Sequence, residues 1–254
     1  MDRFVSLLQN LSLIKLTLLF LAENVLIFVL VIVGGHLMRK MFLDRPVSER
    51  PEPINGLEIT LAISTVCLNT FVTVLGLILW RNGIIRFRTD IGWWAILDIP
   101  ILLLVMDLAM YVLHRMAHHP ILFSIMHKTH HRYEKLRPMT LFALSPVENL
   151  GFGFLWLAVI SIYPASWMGM SVYLAVNVAF GAIGHLSVEP LPRAWKDWPV
   201  LNYISTSSFH AQHHIDREHN FGFYTLVWDK LFGTLSPRYK EDFGRLQTAP
   251  EIAS

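Results

Sequence analysis

"WWAILDIPILLLVMDLAMYVLHRMAHHPILFSIMHKTHHRY" occupies residues 93–133. Its first part, Trp93–Leu113, is apolar apart from Asp98 and Asp107 and is long enough to cross a bilayer core of about 30 Å as a helix. The remainder, His114–Tyr133, holds six of the twelve histidines in the 254-residue chain. A membrane helix that runs straight into a bank of imidazoles decides the class of the whole protein.

Working outward, four further segments have the same apolar character: Leu16–Val33, Ile59–Trp80, Pro146–Tyr163 and Met168–His185. Trp80, Trp93, Trp94, Tyr163 and Trp167 lie at segment ends, where amphipathic rings favour the headgroup layer. The expected fold is therefore all-α, a polytopic integral membrane protein with a cytoplasmic, histidine-rich helical cap. The first segment carries Lys15 and Glu23 and lacks a small-residue cleavage site, so it reads as retained rather than as a signal peptide. The fourth and fifth segments are short and joined by "PASW", which fits a tight hairpin or a re-entrant pair. A net charge of only +2 gives no electrostatic footprint for nucleic acid. Cys67 is the single cysteine, which excludes an intramolecular disulfide.

Charge orients the segments. If all five span, the stretches 34–58, 114–145 and the region from Leu186 onward share one side and carry 16 of the 21 Lys and Arg residues. The positive-inside rule places that side, with its histidines, in the cytoplasm. The chain divides into an N-terminal membrane region over 1–92, a histidine-bearing region over 93–235 and a tail over 236–254.

Spacing then gives the histidines a purpose. His114 and His118 are one helical turn apart, and His127, His130 and His131 follow an i, i+3, i+4 pattern. His210, His213 and His214 repeat that pattern some eighty residues later, and His185 ends the fifth segment. Such spacing lets several ring nitrogens from one short helix converge, and neutral imidazole is the commonest nitrogen ligand for metals. One zinc takes about four ligands, so nine candidates suit two ions; copper, iron, nickel and zinc all fit nitrogen-rich sets. No H-E-x-x-H is present to suggest a zinc protease. A histidine-rich metal transporter is a rival, although transporters place their ligands near the bilayer midplane. His36 reads as an ordinary surface or core histidine, and the roles of His119 and His219 stay open.

The ordered set "HRMAH", "HKTHH" and "HAQHH" resembles the fatty acid hydroxylase/sterol desaturase superfamily of integral-membrane di-iron oxygenases. The flanks agree: Asp107, Tyr111, His114 and Arg115 match its D-x-x-x-Y-x-x-H-R lead-in, and "WDKLFGT" (228–234) matches its W-D-x-x-F-G-T tail. "NFG" (220–222) stands where members usually carry N-Y-G. Ser145 stands where a histidine often precedes P-x-E, and Thr206–Ser207 replaces a common T-P. These departures bear on substrate class more than on metal binding.

The resemblance implies two iron ions held by His114, His118, His127, His130, His131, His185, His210, His213 and His214, with O2 as co-substrate. It implies hydroxylation of a lipid at an unactivated C–H bond, with desaturation of a fatty acyl or sterol lipid as the alternative. The sequence contains no Rossmann glycine pattern and no cytochrome or flavin module, so a separate electron-transfer protein is the expected partner. Asp107 and Tyr111 are the candidate catalytic residues. An intramembrane Asp107 is expected to support the site through Tyr111 or a water, or else to tie helices together. Glu148, Asp216 and Glu218 are candidates for orienting ligand rings or for plain surface charge. Arg115, Lys128 and Arg132 are candidates for holding lipid phosphate or an acidic donor. Trp228, Leu231 and Phe232 suggest a short interfacial helix, and Pro100 a kink in the third span.

Overall fold

The computed structural model describes residues 2–247; the last seven residues of the tail lie outside them. Helix α1 (Asp2–Asn10) precedes three long helices, α2 (Leu13–Met41), α3 (Gly56–Arg81) and α4 (Trp93–Ala117). Short helices α5 (Pro120–Met126) and α6 (Lys128–His131) follow, then α7 (Pro146–Ile162), α8 (Trp167–Gly184), α9 (Ser207–Ile215), α10 (Val227–Phe232) and α11 (Tyr239–Asp242). Among the described residues there are no strands, only three isolated bridges. The protein is an all-α polytopic membrane protein, as its sequence leads one to expect.

Four of the bundle helices start where a polar side chain satisfies otherwise unpaired amides, and α4 starts at Gly92 without such a cap. Ser12, Asn55, Ser145 and Ser166 cap α2, α3, α7 and α8 by accepting from Lys15 N, Glu58 N, Glu148 N and Gly169 N. α2, α3, α4 and α8 are long and apolar enough to cross a membrane. At 17 residues α7 is at the lower limit, about 25 Å at 1.5 Å per residue. A short turn joins it to α8, and both pack on α4. α4 runs on through Pro100. α2 packs on α3, which in turn packs on α7. Large apolar side chains such as Leu18, Leu30, Ile63 and Leu104 remain exposed on the outer faces, as a lipid-facing surface requires.

The two ends of this bundle are built from different loops. At one end, residues 82–92 meet the α7–α8 turn: Arg88 N donates to Ala165 O and Trp167 N donates to Arg88 O. Buried Asp98 closes this end, taking Arg88 Nη2 (2.9 Å), Tyr163 Oη (2.7 Å) and Ser166 N (2.7 Å). Gly169 lies against it, where a Cβ would fall 2.4 Å from the Asp98 Cβ.

At the other end, the loop after α2 joins the cap. Val47 N donates to Ser187 O, and Val47 packs with Leu136 and Ala211. A buried ion pair between Arg137 and Glu58 (2.6 Å) fixes residues 132–143 to the start of α3. Phe209, Leu226, Tyr239 and Phe243 form the apolar centre of the cap. The regions 34–58, 114–145 and 186 onward thus share one end, the grouping that the apolar segmentation implies.

Candidate metal centre

Helix geometry delivers the histidines to the cap. His114 lies in the last turn of α4 and His118 caps its C-terminus. His119–Pro120 ends α4 and starts α5, with the His119 side chain accepting from Ile121 N. α5 runs back, His127 ends it, and the single turn of α6 presents His130 and His131. His185 caps the C-terminus of α8, and α9 contributes His210, His213 and His214.

These nine form two groups. His114, His118, His127, His131 and His213 make one; His130, His185, His210 and His214 make the other. Within each group one ligand atom per residue lies within 4.8 Å of all the rest. The dipeptides His130–His131 and His213–His214 are each divided, one member to each group. Neighbours on a helix point about 100° apart, so adjacent imidazoles cannot serve one point but can serve two.

The outer ring nitrogens establish which inner nitrogens carry lone pairs. His114 Nδ1–H donates to Phe221 O (2.8 Å), His213 Nδ1–H to His219 O (2.7 Å) and His185 Nδ1–H to Gly181 O (2.9 Å). A carbonyl can only accept, so in each ring the proton sits on Nδ1 and Nε2 is bare. His127 Nδ1–H donates to Glu148 Oε1 (2.6 Å), with the same result. The bare Nε2 atoms of His114 and His127 then face each other at 2.9 Å. The Nε2 atom of His131 lies 3.1 Å from those of both His118 and His213. In the second group, His214 Nε2 is 3.1 Å from those of both His130 and His210, and His185 Nε2 is 3.3 Å from His210 Nε2.

Facing lone pairs at this distance repel unless a cation lies among them. A proton is a poor candidate at neutral pH. Burial, reinforced by neighbouring imidazoles, lowers His118 to about 2, and burial with the nearby His114 lowers His131 to about 3. Burial alone brings His185 down to about 4. His127, His130, His210, His213 and His214 are pushed well below the ordinary range for the same reasons. Two sets of neutral, buried, converging nitrogens are a donor set suited to two transition-metal ions.

The surrounding carboxylates hold this arrangement. Glu148 is buried in the first turn of α7, whose N-cap Ser145 donates to Met126 O (2.6 Å), one residue before His127. Ser145, where the resembling family often has histidine, thereby ties α7 to α5. Glu189 accepts from Ser208 N (2.9 Å) and Ser208 Oγ (2.7 Å), placing an acid at the N-terminus of α9. Asp216 accepts from His219 Nδ1 (2.8 Å), while the carbonyl of His219 receives His213. Glu218 is exposed.

Asp107 and Tyr111 lie on α4 beside the five-histidine group, not within it. Asp107 does not reach the site through Tyr111. It accepts from Tyr224 N (2.9 Å), Thr225 N (3.2 Å) and Thr225 Oγ1 (2.5 Å), and so pins the loop that follows Phe221. Tyr111 Oη pairs with Thr234 Oγ1 (2.9 Å) and receives Arg115 Nη1 (3.3 Å). Asp98 serves the opposite end of the bundle.

Asp229, which spacing alone does not single out, organises the same loop. It takes Phe221 N (2.8 Å), Gly222 N (2.7 Å) and Thr234 Oγ1 (2.7 Å). Gly222 is required there, since a Cβ would fall 2.3 Å from Thr225 O. Burial raises Asp229 to about 6, against these hydrogen bonds. The signal for it was the "WDKLFGT" motif.

A family model described as fatty acid hydroxylase matches residues 99–234, which contain all nine histidines. The chain is 26% identical over 222 residues to a Delta(7)-sterol 5(6)-desaturase, ERG3, of Candida albicans, an alignment covering 84% of this chain and 55% of that protein. It is 26% identical over 159 residues to a Delta(7)-sterol 5(6)-desaturase of Leptosphaeria maculans, covering 60% and 41%. With the human lathosterol oxidase it shares 24% over 249 residues, covering 92% and 80%. The chain spans about half the length of the fungal curated relatives it matches. No solved structure matches it. The family match covers more than half of the chain and encloses both histidine groups: the protein belongs to the fatty acid hydroxylase family, within the fatty acid hydroxylase/sterol desaturase superfamily.

Proposed function

We infer that the protein is a membrane-bound, O2-dependent oxidoreductase that oxidises an unactivated C–H bond of a lipid. The observation that carries this reading is the pair of histidine groups whose ring nitrogens lie within 4.8 Å of one another, with Nε2 left bare in His114, His185 and His213 by Nδ1–H bonds to carbonyls. His114, His118, His127, His131 and His213 would hold one iron ion, and His130, His185, His210 and His214 a second. Two such ions supply the O2-activating redox chemistry that no side chain provides alone. The chain's own contribution is to keep nine imidazoles neutral and aimed: Phe221 O, Glu148, Gly181 O and His219 O hold the outer nitrogens, which raises ligand basicity and fixes ring orientation.

The relatives, Delta(7)-sterol 5(6)-desaturases and a lathosterol oxidase, favour desaturation of a sterol-like ring over the hydroxylation that the family resemblance suggests. In desaturation the substrate gives up two hydrogens and an external donor supplies two electrons, so that with two protons O2 leaves as two waters. In hydroxylation the same donor electrons leave one oxygen in the product and one in water. The donor is a separate electron-transfer protein reaching the cap from the cytoplasm, the side to which 16 of the 21 Lys and Arg residues assign it. A transporter reading is disfavoured because the ligands lie at the end of the bundle, beyond the helices that cross.

Elemental analysis of the detergent-purified protein tests the core of this reading. About two irons per chain, with loss in a His130→Ala/His131→Ala variant, is the expected result. Incubating the iron-loaded protein with a Δ7-sterol, a reductant and O2 then yields a product lighter by two hydrogens. A product heavier by one oxygen assigns hydroxylation, and absence of any O2-dependent product from the iron-loaded protein overturns the reading.

A further inference from the structure

Beside the five-histidine group lies a cavity of about 570 Å³, lined by Tyr111, Val112, Arg115, Met116, His119, Leu122 and Phe232. Its size falls within the range of pockets that take small organic ligands, about 300–1,000 Å³. Four lining residues belong to α4 at spacings i, i+1, i+4 and i+5, a single face of a spanning helix. Val112 and Met116 are exposed on that face, and Leu231 and Phe232 of α10 stand exposed next to it. The open side therefore looks onto the lipid-facing surface, and its apolar walls exclude an ionic or strongly polar occupant. Arg115, the one permanently charged group of the lining among the described residues, offers hydrogen bonds to an oxygen at one end of a lipid.

What separates this cavity from the histidines is aromatic. Tyr111 forms its inner wall, stacked on Phe232 with ring centres 5.5 Å apart. Behind Tyr111, at 6.3 Å and edge-on, stands buried Phe221. The Phe221 ring in turn meets His118 at 5.1 Å, His213 at 5.6 Å and His114 at 5.7 Å, three members of the five-histidine group. Its backbone is fixed on both sides, with the amide on Asp229 and the carbonyl receiving His114.

We propose that the cavity between α4, α5 and α10 admits the lipid substrate from the bilayer, and that Phe221 with Tyr111 forms the partition that decides which lipid carbon reaches the five-histidine group. This rests on the lipid-oxidation reading, but the cavity and its occupant can be tested without metal. Phe221 is here a specificity-determining residue, since it touches both ligand rings and the wall against which the lipid lies.

The test uses the metal-free, full-length protein in nanodiscs with a nitroxide-labelled sterol and a nitroxide-labelled fatty acid as probes. Immobilisation of the sterol probe by the wild type, weakened about tenfold in Met116→Trp and Leu122→Trp, is the expected result. Immobilisation of the fatty acid alone, lost in the same variants, keeps the cavity and reassigns the occupant from ring to chain. Equal immobilisation in wild type and both tryptophan variants, or none in the wild type, overturns the proposal even if the iron-loaded enzyme turns over. In the iron-loaded protein Phe221→Leu shifts the product ratio between two competing lipids at unchanged metal content, and Phe221→Tyr restores it. An unchanged ratio in Phe221→Leu removes Phe221 from the proposal. Failure of turnover with retained probe binding sinks the oxidation reading and leaves the cavity standing.

Discussion

The two histidine groups use the same ligand and are held in different ways. In the five-histidine group, His114, His127 and His213 each donate from Nδ1 to an oxygen fixed by another element. The buried Nδ1 of His131 in that group has no partner; in the four-histidine group only His185 is anchored, on Gly181 O of its own helix, and the buried Nδ1 atoms of His130 and His214 have none. An imidazole whose outer nitrogen is anchored keeps its tautomer and direction without a metal; one that is not relies on the metal itself. With His114, His127 and His213 anchored against His185 alone, the five-histidine group is the more preorganised, and the four-histidine group is the one that a bound metal would have to order.

Four measurements break or sharpen this contrast. The largest effect is expected from separating the dipeptides. His130→Ala removes a ligand from one group and His131→Ala from the other, so each lowers the metal content from about two to about one per chain. Turnover falls by at least about a hundredfold in both. Metal analysis of the two variants side by side checks this, and identical residual metal spectra would contradict a division between groups.

Next in size is Glu148→Ala, which strips the acceptor from His127 Nδ1. Metal affinity of the five-histidine group falls about 10- to 100-fold, read by chelator competition, while the other group is unmoved. A third prediction concerns Asp98→Asn at the opposite end of the bundle. It weakens the bonds to Arg88, Tyr163 and Ser166 and costs about 1–2 kcal/mol, since Arg88 is itself partly exposed. Metal content stays at the wild-type value.

The fourth prediction is the pH dependence of one imidazole in the metal-free protein. His185 takes up a proton near 6.5 when unfolded but only at about 4 in the fold. Its effect on stability is absent above pH 6.5 and becomes a loss as pH falls toward 4, at about 1.4 kcal/mol per pH unit. Unfolding in detergent at stepped pH should lose one proton's worth of slope in His185→Asn.

Comparing Asp98 with Asp107 shows what was legible in the sequence. Both are intramembrane carboxylates nine positions apart on α4, and the pattern of residues flagged both as costly without saying what each repays. One holds an arginine at the far end and the other holds the Tyr224–Thr225 backbone at the cap, partners 117 residues away that no local rule reaches. The spans were readable because bilayer thickness imposes a length on apolar runs. The nine histidines were readable because a helical turn imposes a spacing. Their division into five and four was implicit in the 100° between neighbours, yet needed the relative placement of α6 and α9. Glu148 resembled surface charge in sequence. Its burial follows from Ser145 and Pro146 starting α7 against the end of α5, which is a fact of packing.

The chain order of the ligands also governs when the centre can come into being. Six of the nine histidines precede Ser207, and the remaining three emerge only after the α7–α8 hairpin has been made. Both groups draw on α9, so neither is complete while the ribosome is still producing the last membrane helix. Loop closure over about a hundred residues, from His114 to His214, must come before the contacts that reward it. Metal capture by these groups would accordingly be a late event in biogenesis, following insertion. A nascent chain halted before α9 would be embedded in the bilayer, with its helices paired, and still be chemically inert.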